Sequence, residues 1–378
     1  MRKGICYFGS YDSEYARNRI IKKGLRANGF QIYECNSHGI VCRRYWNLTR
    51  LFFRYVHKFD FIIVGFPGYF DIPLAFILGK IFGKKVFYDI FTSTYETYVL
   101  DRKVIDKISW RAKFYYLVDW LGLRLADFVI VDTLAHGKFY SKTYGLSPKK
   151  QVLVYVGSDP DYFHPRKVKE ETDVLFYGSY QPLQGVEYIV HAASKIPDVK
   201  FRLIGDGQQK KKTQDLSQVL KLKNVKFLDW LPVKNLAEQM NKAKIILGVF
   251  GKGIKAQIVI PNKVYDAIAS KKALITSDTS AVREVFSNNV NVLLVPSANA
   301  DRLAIAIKQL IENRRERNGL AEKAYKLYKK SFKPDKVVHD LIQFILNENT
   351  PALMAGKRAE SSEEERTSNF RSRESISR

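Results

Sequence analysis

Short apolar runs, each ending near glycine, aspartate or serine and each followed by an amphipathic stretch, recur along the chain. They fall at residues 4–9 (GICYFG), 30–34, 59–65, 85–90 and 126–132 (ADFVIVD), then at 173–177, 200–204, 225–228, 244–249 and 273–276. Strands alternating with helices pair in parallel, because each crossover helix carries the chain back to the same end of the sheet. The pattern predicts an α/β chain with two Rossmann-like, doubly wound parallel sheets facing a central cleft. Between the two series, residues 157–165 (GSDPDYFHP) are rich in turn formers and precede a charged run, the signal of a link. The expected division is a first domain over 1–156, a link over 157–172, a second domain over 173–333 and a helix over 334–348 that crosses back towards the first domain. Residues 349–378, rich in Ser, Glu and Arg without periodicity, are expected to be disordered. A chain of 378 residues with 46% hydrophobic content can fill two cores.

Residues 250–286 carry the most chemistry. A loop with Gly251 and Gly253 runs into Ile260-Pro261-Asn262-Lys263, where Pro and Asn mark a helix start. The expected helix over 264–270 would offer open backbone amides, its positive dipole end and Lys263 to a diphosphate. Asp266, one turn in, could accept two hydrogen bonds from the vicinal diol of a ribose. In the same half, strands end in glycine turns at Gly178 and at Gly205-Asp206-Gly207, with Ser179 and Gln184 following the first.

In the first half, the strand over 4–9 ends in Gly9-Ser10, again at a ligand-binding edge, although one glycine and a serine are common in α/β proteins. Asp89, followed by Thr92, Ser93 and Thr94, falls at the carboxyl end of another strand and is either a candidate catalytic group or, the commoner case, a satisfied structural aspartate. His136 follows the strand over 126–132 and reads as structural. Two stretches join basic with apolar and aromatic residues: 43–58 (Arg43, Arg50, Arg54 and Lys58 beside Leu48, Phe52, Tyr55 and Phe59) and 101–126 (Arg102, Lys103, Lys107, Arg111 and Lys113 beside Trp110, Phe114, Tyr115, Tyr116 and Trp120). Such helices either lie on an anionic bilayer or bury their aromatic stripe and solvate the basic one.

The formal net charge of +25 suits phosphorylated ligands, an anionic membrane face or nucleic acid. Nucleic acid is the weakest of these, since the aromatics follow strand and helix periodicities and no recognised motif is present. The three cysteines, Cys6, Cys35 and Cys42, have no metal-ligand spacing and fit a reducing cytosol. No signal peptide is expected, because Met1-Arg2-Lys3-Gly4 leads into only a short apolar run, and no transmembrane span, because the apolar region 59–91 is broken by Pro67, Asp71, Lys80, Lys84 and Lys85.

Taken residue by residue, the stretch around Asp266 resembles the nucleotide-sugar site of family 4 glycosyltransferases (glycosyl transferases group 1). Those are retaining enzymes of the two-Rossmann GT-B architecture. The resemblance covers residues 1–347 and includes Gly157, Asp159, Phe163 and Pro165 of the link and the Gly205-Asp206-Gly207 turn. It implies that Asp266 binds the donor ribose and that Gly9, Ser10, Gly178, Ser179, Gln184, Gly205, Gly207, Pro261, Asn262 and Lys263 surround the donor. The chain also departs from the family. Ile258 replaces the glutamate near the donor sugar; Ser179 and Gln184 replace the arginine and lysine that neutralise the diphosphate; Asp89 lies in a region where the family often has a histidine. Lys263 is the leading substitute for the lost cations, with Lys252, Lys255 and Arg283 behind it. The implied activity is transfer of a hexose-type unit from a nucleoside diphosphate sugar to a saccharide or lipid-linked acceptor, with retention and without a metal or other cofactor. Asp89 and Lys263 are its candidate catalytic residues. It fits cell-envelope or surface polysaccharide or glycolipid synthesis by a cytoplasmic enzyme, peripheral on the inner membrane face. The alternative is a non-catalytic nucleotide-sugar or membrane-binding relative with a degenerate site.

Overall fold

The computed structural model describes residues 4–348, and within them the alternating pattern forms two six-stranded, all-parallel sheets. The first contains β1 (Gly4–Gly9), β2 (Gln31–Asn36), β3 (Phe61–Val64), β4 (Lys85–Asp89), β5 (Phe128–Val131) and β6 (Gln151–Leu153), in the order β2-β1-β3-β4-β5-β6. The second contains β7 (Thr172–Gly178), β8 (Phe201–Gly205), β9 (Val225–Leu228), β10 (Ala243–Leu247), β11 (Ala273–Ser277) and β12 (Leu293–Val295), in the order β12-β11-β10-β7-β8-β9. Strand order reverses between β1 and β3 and between β7 and β10. At such a reversal neighbouring connections leave on opposite faces and a crevice opens at the carboxyl ends.

Every residue of β1, β3 and β11 is buried, as expected for strands covered by helices on both faces. Each sheet has its own core. Phe8, Ile62, Val64, Tyr88 and Val129 belong to the first, and Phe176, Leu203, Leu247, Ile275 and Ile307 to the second. Both sheets lie in one compact unit, residues 1–340.

Local departures from the sequence pattern have identifiable causes. Residues 101–126 are not one helix: a wide π-type turn, Glu96–Asp101, and a loop precede the helix Trp110–Leu125, whose start is set by Ser109 Oγ accepting from the Ala112 amide at 3.2 Å. Residues 287–333, to which the pattern assigned no element, supply β12 and the helices Ala300–Glu312 and Arg314–Ser331. The return towards the first domain is made by the short turn Pro334–Val337 against the helix Ala16–Ala27. Gly24 allows that approach, since a Cβ there would lie 2.1 Å from the Pro334 carbonyl oxygen. A separate helix, His339–Glu348, follows, and from Leu341 the described residues fall in a second unit. The tail expected to be disordered lies outside the described residues.

Candidate active site

The two sheets present their carboxyl edges to a shared cavity of about 590 Å³. Its second-domain wall includes Gly178, Ser179 and Gln184 after β7, Trp230 after β9, and the run Val259-Ile260-Pro261-Asn262-Lys263. The first domain contributes Tyr15, Phe66, Phe91, Tyr98, Arg102 and Asp132.

Lys263 dominates the second-domain side. The helix Asn262–Ala269 begins after Pro261, so its first amides have no acceptor within the helix. Lys263, in its first turn, is buried with its Nζ 3.8 Å from the centroid of the Phe176 ring, and that Nζ has no hydrogen-bond partner. Burial alone pushes its pKa well below the usual lysine value. A Cβ at Gly178 would lie 2.7 Å from this nitrogen and 2.5 Å from Gln184 Oε1, so only glycine leaves the ammonium room. The Gln184 amide donates to Ser179 Oγ at 3.3 Å and its oxygen is buried without a partner. The Lys263 amine, the Gln184 amide oxygen and an open helix start thus surround one gap in the cavity wall.

Gly205 and Gly207 are not in the cavity wall. Both have left-handed φ (126° and 147°), and a Cβ would meet the carbonyl oxygens of Gly178 and Ser179 at 2.0 and 1.8 Å. They let the β8 turn press against the Gly178-Ser179 loop from behind.

Asp266, the expected ribose ligand, is not brought to the cavity. Its Oδ1 accepts from Ser158 Oγ in the link at 2.5 Å and its Oδ2 from the Tyr177 hydroxyl. Being one turn into the helix, it faces the link instead. Burial raises its pKa to about 7, against the lowering effect of those two hydrogen bonds.

Asp89 is not among the residues lining the cavity. It is fully buried and paired with Arg17, whose Nε lies 3.0 Å from Oδ2, while Arg17 also donates to the Val154 carbonyl at 2.5 Å. Gly9 and Ser10 also fall outside the cavity. The Ser10 amide is taken by Asp71 Oδ2 at 2.8 Å, and Asp71 is itself 2.9 Å from Arg44 Nε. That loop therefore already holds a carboxylate where a phosphate was expected. Among the other candidate cations, Lys255 lines the cavity but lies 3.0 Å from Thr97 Oγ1 and 3.4 Å from Glu96 Oε1; Arg283 is exposed and held by Asp278.

Asp132 is a cavity residue the sequence did not single out, and Arg102, read there only as one of the basic residues of the 101–126 stretch, also lines the cavity. Arg102 follows the π-type turn, its buried Nε has no partner, and its carbonyl accepts from Gln208 of the second domain at 3.0 Å. Asp132 follows β5 and is buried. Its Oδ1 lies 2.6 Å from His136 Nδ1, and His136 Nε2 lies 2.8 Å from Glu96 Oε2. Burial would lower the His136 pKa, but the Glu96 and Asp132 carboxylates raise it to about 9. Asp132 ends its strand as Asp89 does, so strand position alone could have drawn attention to it. What separates the two is Arg17, 72 residues from Asp89 along the chain.

The paired doubly wound sheets with a shared cavity define a two-domain architecture of the GT-B type. Residues 159–327 match the family model described as glycosyl transferases group 1. Among curated proteins, the chain is 26% identical over 171 residues to an uncharacterized glycosyltransferase of Methanocaldococcus jannaschii, covering 43% of this chain and 45% of that protein. It is also 26% identical over 161 residues to phosphatidyl-myo-inositol mannosyltransferase of Mycolicibacterium smegmatis, covering 41% and 40% of the two. The matched stretch thus spans less than half of either relative. The fold is similar to that of sucrose-phosphate synthase from Thermosynechococcus elongatus (TM-score 0.71, 15% identity, 92% of this chain and 99% of that one). It is also similar to Anabaena HepE in complex with UDP (0.68, 14%, 92% and 100%).

Proposed function

We propose that the protein is a retaining glycosyltransferase that moves a hexose-type unit from a nucleoside diphosphate sugar to an acceptor hydroxyl. The observation that carries this reading is the buried, unpartnered Lys263 ammonium beside Gly178 at the open end of a helix, a site built for a diphosphate. In the transfer, the bond from the anomeric carbon to the diphosphate breaks and a bond to the acceptor oxygen forms on the same face. The acceptor proton passes to the departing phosphate oxygen. Lys263 and the helix start stabilise the charge that grows on the leaving group, without a metal ion. Trp230, half exposed at the cavity edge after β9, offers an aromatic face to the base. The HepE neighbours were solved with UDP and with UDP-glucose, so uridine nucleotide sugars come first on a test panel.

The acceptor side suits a lipid-linked saccharide of the cell envelope, met at the cytoplasmic face of an anionic membrane. The first aromatic stripe is mostly core, with Leu48 and Phe52 buried, but Ile40, Val41, Trp46 and Phe53 of the same region are exposed. On the helix Trp110–Leu125, the residues Trp110, Phe114, Leu117 and Leu121 form one exposed apolar stripe, preceded by Ile108 at 85% exposure. Exposed Lys103, Lys107, Arg111 and Lys113 flank it. This helix packs against Ile72–Ile81, and Phe82 beyond that helix meets Phe53 with ring centroids 5.4 Å apart, so the apolar surfaces adjoin. No helix among the described residues is long and apolar enough to cross a membrane. A basic, aromatic face of this kind lies on a bilayer rather than in it. Asp119 of the same helix accepts from the Thr94 and Tyr95 amides at 3.0 and 2.8 Å, tying the face to the turn that bears Arg102.

The reading is tested by thermal stabilisation with UDP-, GDP- and ADP-sugars. A ligand at a hundred times its Kd adds about 2.7 kcal/mol. Product analysis with the binding donor then establishes the anomeric outcome. No stabilisation by any of them would refute it.

A further inference from the structure

Asp132 is a buried carboxylate in the cavity wall whose Oδ2 has no hydrogen-bond partner, while Oδ1 is fixed by His136. Such a group is normally satisfied, so a free oxygen beside a ligand cavity marks a missing donor. The donor it lacks is not an anion, which a carboxylate would repel. Its position narrows the choice further. The neighbouring Thr133 hydroxyl donates to the Ile258 carbonyl across the cleft at 2.5 Å, and from Ile258 the chain runs through cavity-lining Val259 and Ile260 to Pro261, Asn262 and Lys263. The carboxylate thus stands beside the segment that leads into the anion site, where the group esterified to a bound diphosphate would lie.

We infer that Asp132, supplied by the first domain, binds a hydroxyl of the transferred sugar. The inference rests on the nucleotide-sugar reading of the cavity. It gives the missing carboxylate at Ile258 a replacement from across the cleft, and makes sugar recognition depend on both domains. His136 is a positioning residue: donating to Glu96 and Asp132 together, it leaves Oδ2 as the oxygen available to the sugar. Glu96, in turn, is 3.4 Å from Lys255 of the second domain, so the support for Asp132 itself bridges the domains.

Isothermal titration compares wild type with Asp132→Asn and Asp132→Ala. The ligands are UDP-glucose, UDP-galactose, UDP-N-acetylglucosamine and GDP-mannose, each beside its own nucleoside diphosphate. For the sugar nucleotide that wild type binds most tightly, both variants should weaken the Kd about ten- to a hundredfold, the scale of a hydrogen bond to a charged group. The Kd for the nucleoside diphosphate should stay within about twofold, which also reports a folded second domain. Parallel losses for both ligands, or no loss for either, would overturn the assignment of Asp132 while leaving the nucleotide reading intact. Failure of wild type to bind any of these nucleotides would instead bring down the nucleotide-sugar reading, and this inference with it.

Discussion

Replacing Lys263 with methionine should make the ligand-free protein more stable while removing its response to the donor. The ammonium sits in the interior without an oxygen partner, and its attractive contact is the Phe176 ring at 3.8 Å. Isolating a charge from water carries an effective penalty of several kcal/mol, whereas a desolvated cation–π contact returns about 2 kcal/mol. Methionine fills nearly the same volume without the charge, so the difference, about 1–3 kcal/mol, should appear as added stability. For a domain of this size each kcal/mol moves the Tm by about 2–4 °C. Differential scanning calorimetry without ligand should therefore show Lys263→Met melting above wild type. A saturating donor nucleotide should raise wild type and leave the variant unmoved, and turnover should fall by roughly 2–4 kcal/mol in activation free energy if Lys263 stabilises the leaving group. A variant that melts below wild type and still responds to the nucleotide would refute the reasoning, because the ammonium would then be a structural cation whose partner is the protein.

Asp89→Ala should destabilise the protein by about 3–5 kcal/mol in urea titration, since it leaves Arg17 buried and unpaired; lost turnover at unchanged stability would return Asp89 to the catalytic group. Asp266 has a pKa raised by burial to about 7, so between pH 4 and 7 the native state keeps a proton that the unfolded chain has lost, and stability declines as pH rises through that window. Three pKa units correspond to about 4 kcal/mol at most, and Asp266→Asn should flatten the decline in urea unfolding at pH 5 and pH 8, whereas parallel curves would show that another group titrates. The double variant Trp110→Ser, Phe114→Ser should abolish sedimentation with anionic vesicles at unchanged Tm; equal, negligible binding of wild type to anionic and neutral vesicles would exclude the membrane face.

The sequence by itself determined the two parallel sheets, because strand burial on both faces and the alternation with helices are written locally in runs such as residues 4–9 and 273–276. It also pointed to Lys263 at a helix start and, through the family resemblance, to Gly178, and the two meet in one cavity wall. What it left open was how each carboxylate near the sheet edges is used. Asp89, Asp132 and Asp266 all sit near the edge where ligands collect. Arg17, His136 and the pair Ser158 with Tyr177 decide their fates, and several of these partners are distant in sequence. The Ser10 amide was likewise taken out of play by Asp71, 61 residues away. Local sequence sets backbone conformation, but whether a buried polar atom is satisfied depends on what the rest of the chain places within hydrogen-bond reach, and only the tertiary structure settles that.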